Sequence, residues 1–140
     1  RGLDFAHGTG HGVGYLSNVH ERPNGLRWKV VPERQDSAVI EPGMICSDEP
    51  GLYFAGDFGT RTENLILCVE DEKNEYGQFL KFEFLTKAPI DLEALDIRFM
   101  DDADIERLNT YHKDVYETIS PYMNDEEKEW LKHVTREISR

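Results

Sequence analysis

Three histidines, His7, His11 and His20, fall within the first 20 residues, beside glycines at positions 8, 10, 12 and 14. Small residues clear space around an imidazole, so the cluster is placed to meet a metal ion or a substrate. Each histidine taken alone also reads as a loop residue satisfied by backbone groups; clustering among glycines shifts the balance toward chemistry. Glu49 and Glu63 form a second feature, each at or near one end of a strand-like apolar run. An unpaired carboxylate in such surroundings is costly, so each needs a partner. Arg61 stands two residues from Glu63, and in an extended strand both project to one face. One reading is an Arg61–Glu63 ion pair at a sheet end. The other makes Glu49 and Glu63 metal ligands, with Arg61 orienting one of them or the substrate. His, Glu and Glu together suit a divalent transition metal better than an all-oxygen Ca²⁺ cage. His112 and His133 fall in the tail and read as structural or solvated.

Other chemistries fail on spacing. His20-Glu21 lacks the second histidine of the helical zinc proteases, and the glycines at 8 to 14 lack the dinucleotide-binding pattern and a preceding strand. No Walker loop and no Gly-x-Ser-x-Gly elbow is present. Cys46 and Cys68 lie in apolar runs without Cys-x-x-Cys spacing, which reads as two reduced core thiols of a cytosolic protein.

The elements that position these residues follow from pattern. A helix through residues 7–14 would lose about 1 kcal/mol for each glycine, so the segment reads as loop or irregular strand. Residues 15–43 carry turn signals, among them Arg22-Pro23-Asn24-Gly25 and Glu41-Pro42-Gly43. Residues 44–49 read as a short strand stopped by Pro50-Gly51, residues 59–69 as one strand, and residues 79–85 as a strand alternating at period two. The last third changes period. Ile105, Leu108, Val115 and Ile119 repeat at 3.6 residues behind an Asp101 cap with Asp104 three positions on, and Pro121 follows the end of that helix. A second helix starts at Asn124 with Glu127 at the capping-box position, carrying Trp130, Leu131, Val134 and Ile138 on one face.

Composition narrows the function classes. The 140 residues hold 16 Lys and Arg against 28 Asp and Glu, a formal charge of −12, with 39% hydrophobic residues. That acid excess argues against nucleic acid as a partner, since no basic patch exists to release counterions. No apolar run approaches the ~20 residues of a membrane helix, so no membrane span is expected, and no targeting signal is present. The chain opens with Arg1 rather than Met, and the expectation is a piece of something longer.

His-Gly-Thr-Gly-His-Gly-Val-Gly at 7–14, Asn-Val-His-Glu at 18–21, Glu-Pro-Gly-Met-Ile at 41–45, Ser-Asp-Glu-Pro-Gly-Leu-Tyr at 47–53 and Gly-Thr-Arg-Thr-Glu-Asn at 59–64 stand in one order along the chain. Together they resemble the C-terminal half of the Xaa-Pro aminopeptidases (aminopeptidase P), metallopeptidases of family M24. Residues 82–91 and 129–132 resemble the longer, cytosolic-type members. The resemblance implies an α+β fold: the C-terminal part of a pita-bread (methionine-aminopeptidase-like, creatinase-like) domain over residues 1–88, and a C-terminal extension with two helices over 89–140. It implies that His11, Glu49 and Glu63 ligate a two-metal centre, usually Mn²⁺, with Zn²⁺ or Co²⁺ as alternatives. Glu63 would bridge the metals and Glu49 would double as the acid/base. His7 and His20 match substrate-side histidines that contact the peptide and stabilise the tetrahedral intermediate, and Arg61 matches an active-site arginine. The implied reaction removes the N-terminal residue of a peptide with proline second; a cytoplasmic homodimer is implied as well.

The family's site also uses two aspartates and a histidine upstream of the glycine-rich loop, and only six residues precede His7 here. Asp4 lies on the wrong side of the pattern. The expectation is that the parent protein is the enzyme, and that this chain alone has an incomplete metal site and is inactive or nearly so. Two rival readings stand beside it: a prolidase acting on Xaa-Pro dipeptides, and a pita-bread module that binds a partner without metals. The long tail after residue 85 favours the aminopeptidase over the prolidase, and the retained His11, Glu49 and Glu63 favour an enzyme over the module.

Overall fold

A computed structural model describes residues 5–16 and 19–140. Asp4, and the Asn18 that opens the Asn-Val-His-Glu motif, lie outside the described residues. The chain divides into two compact units, residues 1–86 and 87–140.

The first unit is built on strands: β1 (Gly10–Gly12), β2 (Glu21–Leu26), β3 (Ile45–Asp48), β4 (Gly51–Tyr53), β5 (Gly59–Arg61), β6 (Asn64–Asn74) and β7 (Gly77–Phe84). Five form one sheet in the order β2-β1-β3-β6-β7, while β4 and β5 pair as a separate two-stranded sheet. Every pairing is antiparallel. Cys46 of β3 and Ile66 of β6 are register partners, with Cys68 two residues on, and all three are buried. Both thiols are free, packed as small apolar groups. The buried Asn24 donates from Nδ2 to the Cys46 Sγ at 2.7 Å, satisfying a polar group the core would otherwise penalise.

Two expectations need correction here. The turn-rich Arg22-Pro23-Asn24-Gly25 lies inside β2. β2 is an edge strand, where a proline breaks no ladder, and a register shift between His11 and Gly12 absorbs the extra residues. The expected single strand over 59–69 is two, because β5 pairs with β4 and β6 with β3 and β7, with the chain crossing between sheets at Thr62–Glu63. The strand expected over 79–85 is β7, and all eight of its residues are exposed. Period-two alternation reports a strand, and burial depends on what covers it.

The second unit carries α1 (Asp102–Ile119) and α2 (Asp125–Val134). Both begin with the capping box their sequences spell, Asp101 with Asp104 and Asn124 with Glu127, each side chain satisfying the other's backbone N–H. Tyr111, Val115 and Leu131 form the buried core, with Ile90, Tyr116, Ile119, Met123 and Val134 packed around it. The α2 face is shorter than expected: the helix ends at Val134, so Ile138 lies beyond it, and Trp130 is half exposed. Thr135 ends the helix, its hydroxyl donating back to the Leu131 carbonyl.

Candidate metal and substrate site

His11 lies in β1, and its place there is set by very close backbone packing. A Cβ at Gly10 would overlap the carbonyl oxygen of Ser47 in β3, and one at Gly12 would overlap the Glu21 carbonyl and the Asn24 side chain. Glycine at these two positions is what lets β1 fit between β2 and β3. The Glu49 N–H donates to the Thr9 carbonyl at 2.7 Å, which holds the end of β3 against the glycine-rich segment. Pro50 and Gly51 then turn the chain into β4.

This packing brings His11, Glu49, Arg61 and Glu63 together. The Nε2 of His11 lies 3.0 Å from Oε1 of Glu49, a residue only 8% exposed. An Nη1 of Arg61 lies 3.0 Å from Oε2 of Glu49 and 3.6 Å from Oε2 of Glu63. The Tyr53 hydroxyl accepts from Arg61 Nε at 2.9 Å. That bond, and then the Glu49 and Glu63 charges, hold the guanidinium above its usual pKa against the opposing cost of desolvation. Of the sequence-predicted residues, His7 sits at the other side of Tyr53, its Nε2 2.9 Å from that hydroxyl and its Nδ1 2.7 Å from the Gly8 carbonyl. A single tautomer satisfies every partner: His7 Nδ1–H donates to Gly8, and Tyr53 O–H donates to His7 Nε2. His20 packs its ring on that of His11, centroids 4.2 Å apart, and is otherwise exposed. Among the described residues it forms no ion pair with Glu49 or Glu63.

The donor chemistry at His11 fits a divalent metal. Its Nδ1 faces the Gly12 carbonyl at 2.9 Å and its Nε2 faces the Glu49 carboxylate, so both ring nitrogens meet acceptors. A neutral imidazole has one proton to give, and with Nδ1–H on Gly12 the Nε2 lone pair points at a carboxylate. That pair is completed by a cation, either a second proton or a metal ion held by histidine nitrogen and carboxylate oxygen. Glu63 stands on the far side of the Arg61 guanidinium. Among the described residues, no three His, Cys, Asp or Glu side chains converge on one point to hold a metal by themselves.

Two residues of this site carried no role in the sequence reading. Tyr53 links His7 to Arg61, and Ser47, fully buried, touches both His11 and Glu49. Both stand inside the Ser-Asp-Glu-Pro-Gly-Leu-Tyr motif. The available signal was strand periodicity: Ser47 precedes Glu49 by two residues and therefore shares its face. Nothing local marks Tyr53, whose partners are 46 and 8 residues away.

Comparison with known proteins bears on the same residues. Metallopeptidase family M24 matches residues 1–70, and the C-terminal region of peptidase M24 matches residues 78–138. The chain is 36% identical to a probable Xaa-Pro aminopeptidase P of Coprinopsis cinerea, over 98% of this chain and 22% of that protein. It is 39% identical to aminopeptidase P1 of Arabidopsis thaliana, over 99% of this chain and 21% of that protein. A crystal structure of an X-prolyl aminopeptidase from Caenorhabditis elegans, described as a cytosolic enzyme with a di-nuclear active site, superposes with a TM-score of 0.83 at 34% identity, covering 98% of this chain and 22% of that one. The chain thus spans about a fifth of the length of these relatives. Its mixed sheet and helix architecture is that of a C-terminal part of the pita-bread fold.

Proposed function

The chain belongs to metallopeptidase family M24, and from that premise we propose that it forms the C-terminal part of a longer Xaa-Pro aminopeptidase. That enzyme hydrolyses the bond before proline in second position and releases the N-terminal residue. The observation that carries this reading is the meeting of His11, Glu49, Arg61 and Glu63 from β1, the β3 end, β5 and the crossing into β6. Residues 1–88 belong to the catalytic domain and residues 89–140 to its C-terminal extension.

His11, Glu49 and Glu63 would hold a pair of divalent ions, Mn²⁺ first and Zn²⁺ or Co²⁺ as alternatives, with the remaining ligands supplied from outside this chain. When bound, such a pair polarises the scissile carbonyl and lowers the pKa of an attacking water. Glu49 accepts the water proton on a carboxylate oxygen as the new C–O bond forms, then passes it to the prolyl nitrogen as the C–N bond breaks. Proline nitrogen carries no hydrogen, so the pocket reads ring shape rather than an amide donor. His7, oriented by Gly8 and Tyr53, and His20, stacked on His11, face the peptide, and His20 donates to the oxygen that gains charge. Arg61 fixes the Glu49 and Glu63 carboxylates. The working enzyme is a cytosolic homodimer; among the described residues no helix is long and apolar enough to cross a membrane.

Assay of the full-length protein with Mn²⁺ tests this. The expected result is release of the first residue from Xaa-Pro-Yaa peptides and none from Xaa-Ala-Yaa, with the 140-residue chain alone inactive. Turnover confined to Xaa-Pro dipeptides would make it a prolidase, and no turnover with any divalent metal would favour a binding module.

A further inference from the structure

We propose that Ser47 is a positioning residue whose buried hydroxyl fixes the plane of the Glu49 carboxylate against His11. The inference deepens the function proposed above and rests on it. Ser47 is fully buried; its Oγ accepts the backbone N–H of His11 at 3.0 Å and donates to Oε1 of Glu49 at 3.1 Å. A hydroxyl has one proton, and with the His11 amide already donating to it, that proton goes to the carboxylate. The oxygen it selects is the one lying 3.0 Å from His11 Nε2, while Oε2 is left to Arg61. His11 amide, Ser47 hydroxyl, Glu49 carboxylate and His11 imidazole therefore close a ring.

The terminal torsion of a glutamate is broad, so without a fixed donor the carboxylate plane swings over a wide range. Ser47 narrows that range and holds one oxygen toward His11 while the other meets Arg61. The backbone keeps the hydroxyl aimed: β1 and β3 pack so closely that a Cβ at Gly10 would overlap the Ser47 carbonyl oxygen, and the Glu49 N–H holds the Thr9 carbonyl. Partners that orient a metal ligand from behind are worth about 10- to 100-fold in metal affinity or activity.

The test compares Ser47→Thr with Ser47→Val in the full-length protein, since the two have the same shape and differ in the hydroxyl. Calorimetric titration of Mn²⁺ into metal-free protein reads affinity, and hydrogen exchange of the His11 amide reads the ring without metal. S47T is expected to bind Mn²⁺ near the wild-type level. S47V is expected to bind it about 10- to 100-fold more weakly, with faster exchange at His11 and a lower kcat at nearly unchanged KM. Equal Mn²⁺ affinity in S47T and S47V overturns the inference, whatever either does to stability. Wild-type protein that takes up none of Mn²⁺, Zn²⁺ and Co²⁺ overturns the two-metal reading of the site, and with it the role of Ser47 toward metal. Protected His11 exchange in S47V would show the ring itself to be absent.

Discussion

Arg61 directs its Nε–H to the Tyr53 hydroxyl and an Nη1 to both Glu49 and Glu63, so one planar cation is shared among three acceptors. A lysine ammonium offers its donors from a single point and cannot reproduce that fork. Arg61→Lys is therefore expected to lose most of the effect of the arginine. Misplacing reacting groups by an ångström costs about 100-fold, and kcat of both Arg61→Lys and Arg61→Ala should fall by about that factor in steady-state assays of the full-length protein. An R61K enzyme with wild-type kcat would show that charge alone suffices. At this scale the candidate site was legible from residue type: His11, Glu49, Arg61 and Glu63 stood out by chemistry and do meet in space. Ser47 and Tyr53 did not stand out, since a serine and a tyrosine acquire meaning only from what lies across from them.

Among the elements, β1 is the most constrained. It has three residues, two of them glycines, and pairs on both sides. Gly10→Ala places a methyl against the Ser47 carbonyl, a backbone atom that cannot rotate away. Overpacking of this kind costs about 1–3 kcal/mol, and the displaced β3 carries Glu49 with it. Urea unfolding of G10A should show a free energy of unfolding lowered by that amount, and Mn²⁺ affinity should fall in parallel. Retained stability would mean that β1 can withdraw from β3. The helices were the most legible elements, because capping boxes at Asp101 and Asn124 are local chemistry written within four residues. The strands were less so. Arg22-Pro23-Asn24-Gly25 has turn composition yet lies at a sheet edge, and the run over 59–69 divides because its two parts find different partners.

Over the whole molecule the acid excess of −12 is mostly solvated, and the group whose titration matters most for folding is a base. His112 is fully buried in the second unit, where its Nε2 accepts the Ile90 N–H at 3.0 Å. That donor places the ring proton on Nδ1, which meets no hydrogen-bond partner among the described residues. Desolvation pushes the His112 pKa below its ordinary 6.5, against a smaller opposing effect of the Ile90 bond. The sign follows: as pH falls through 6.5 the unfolded chain takes up a proton that the folded unit refuses, so stability declines on acidification. The slope is at most about 1.4 kcal/mol per pH unit for one group. Melts followed by Trp130 fluorescence in a Trp28→Phe background should show it, and His112→Gln should flatten it between about pH 7 and pH 5. An unchanged slope would move the acid sensitivity to other groups.

The sequence by itself determined what is local: the donor groups that His11, Glu49 and Glu63 offer, the helix starts, the glycines that admit close packing, and the family to which the order of motifs points. Tertiary structure decided what depends on partners distant along the chain. It placed Arg61 between two carboxylates and Tyr53 between His7 and Arg61. It also turned a buried serine toward one oxygen of Glu49. The reason is physical: capping and turn chemistry act over a few covalent bonds, whereas a hydrogen bond across strands exists only once the sheet has chosen its register.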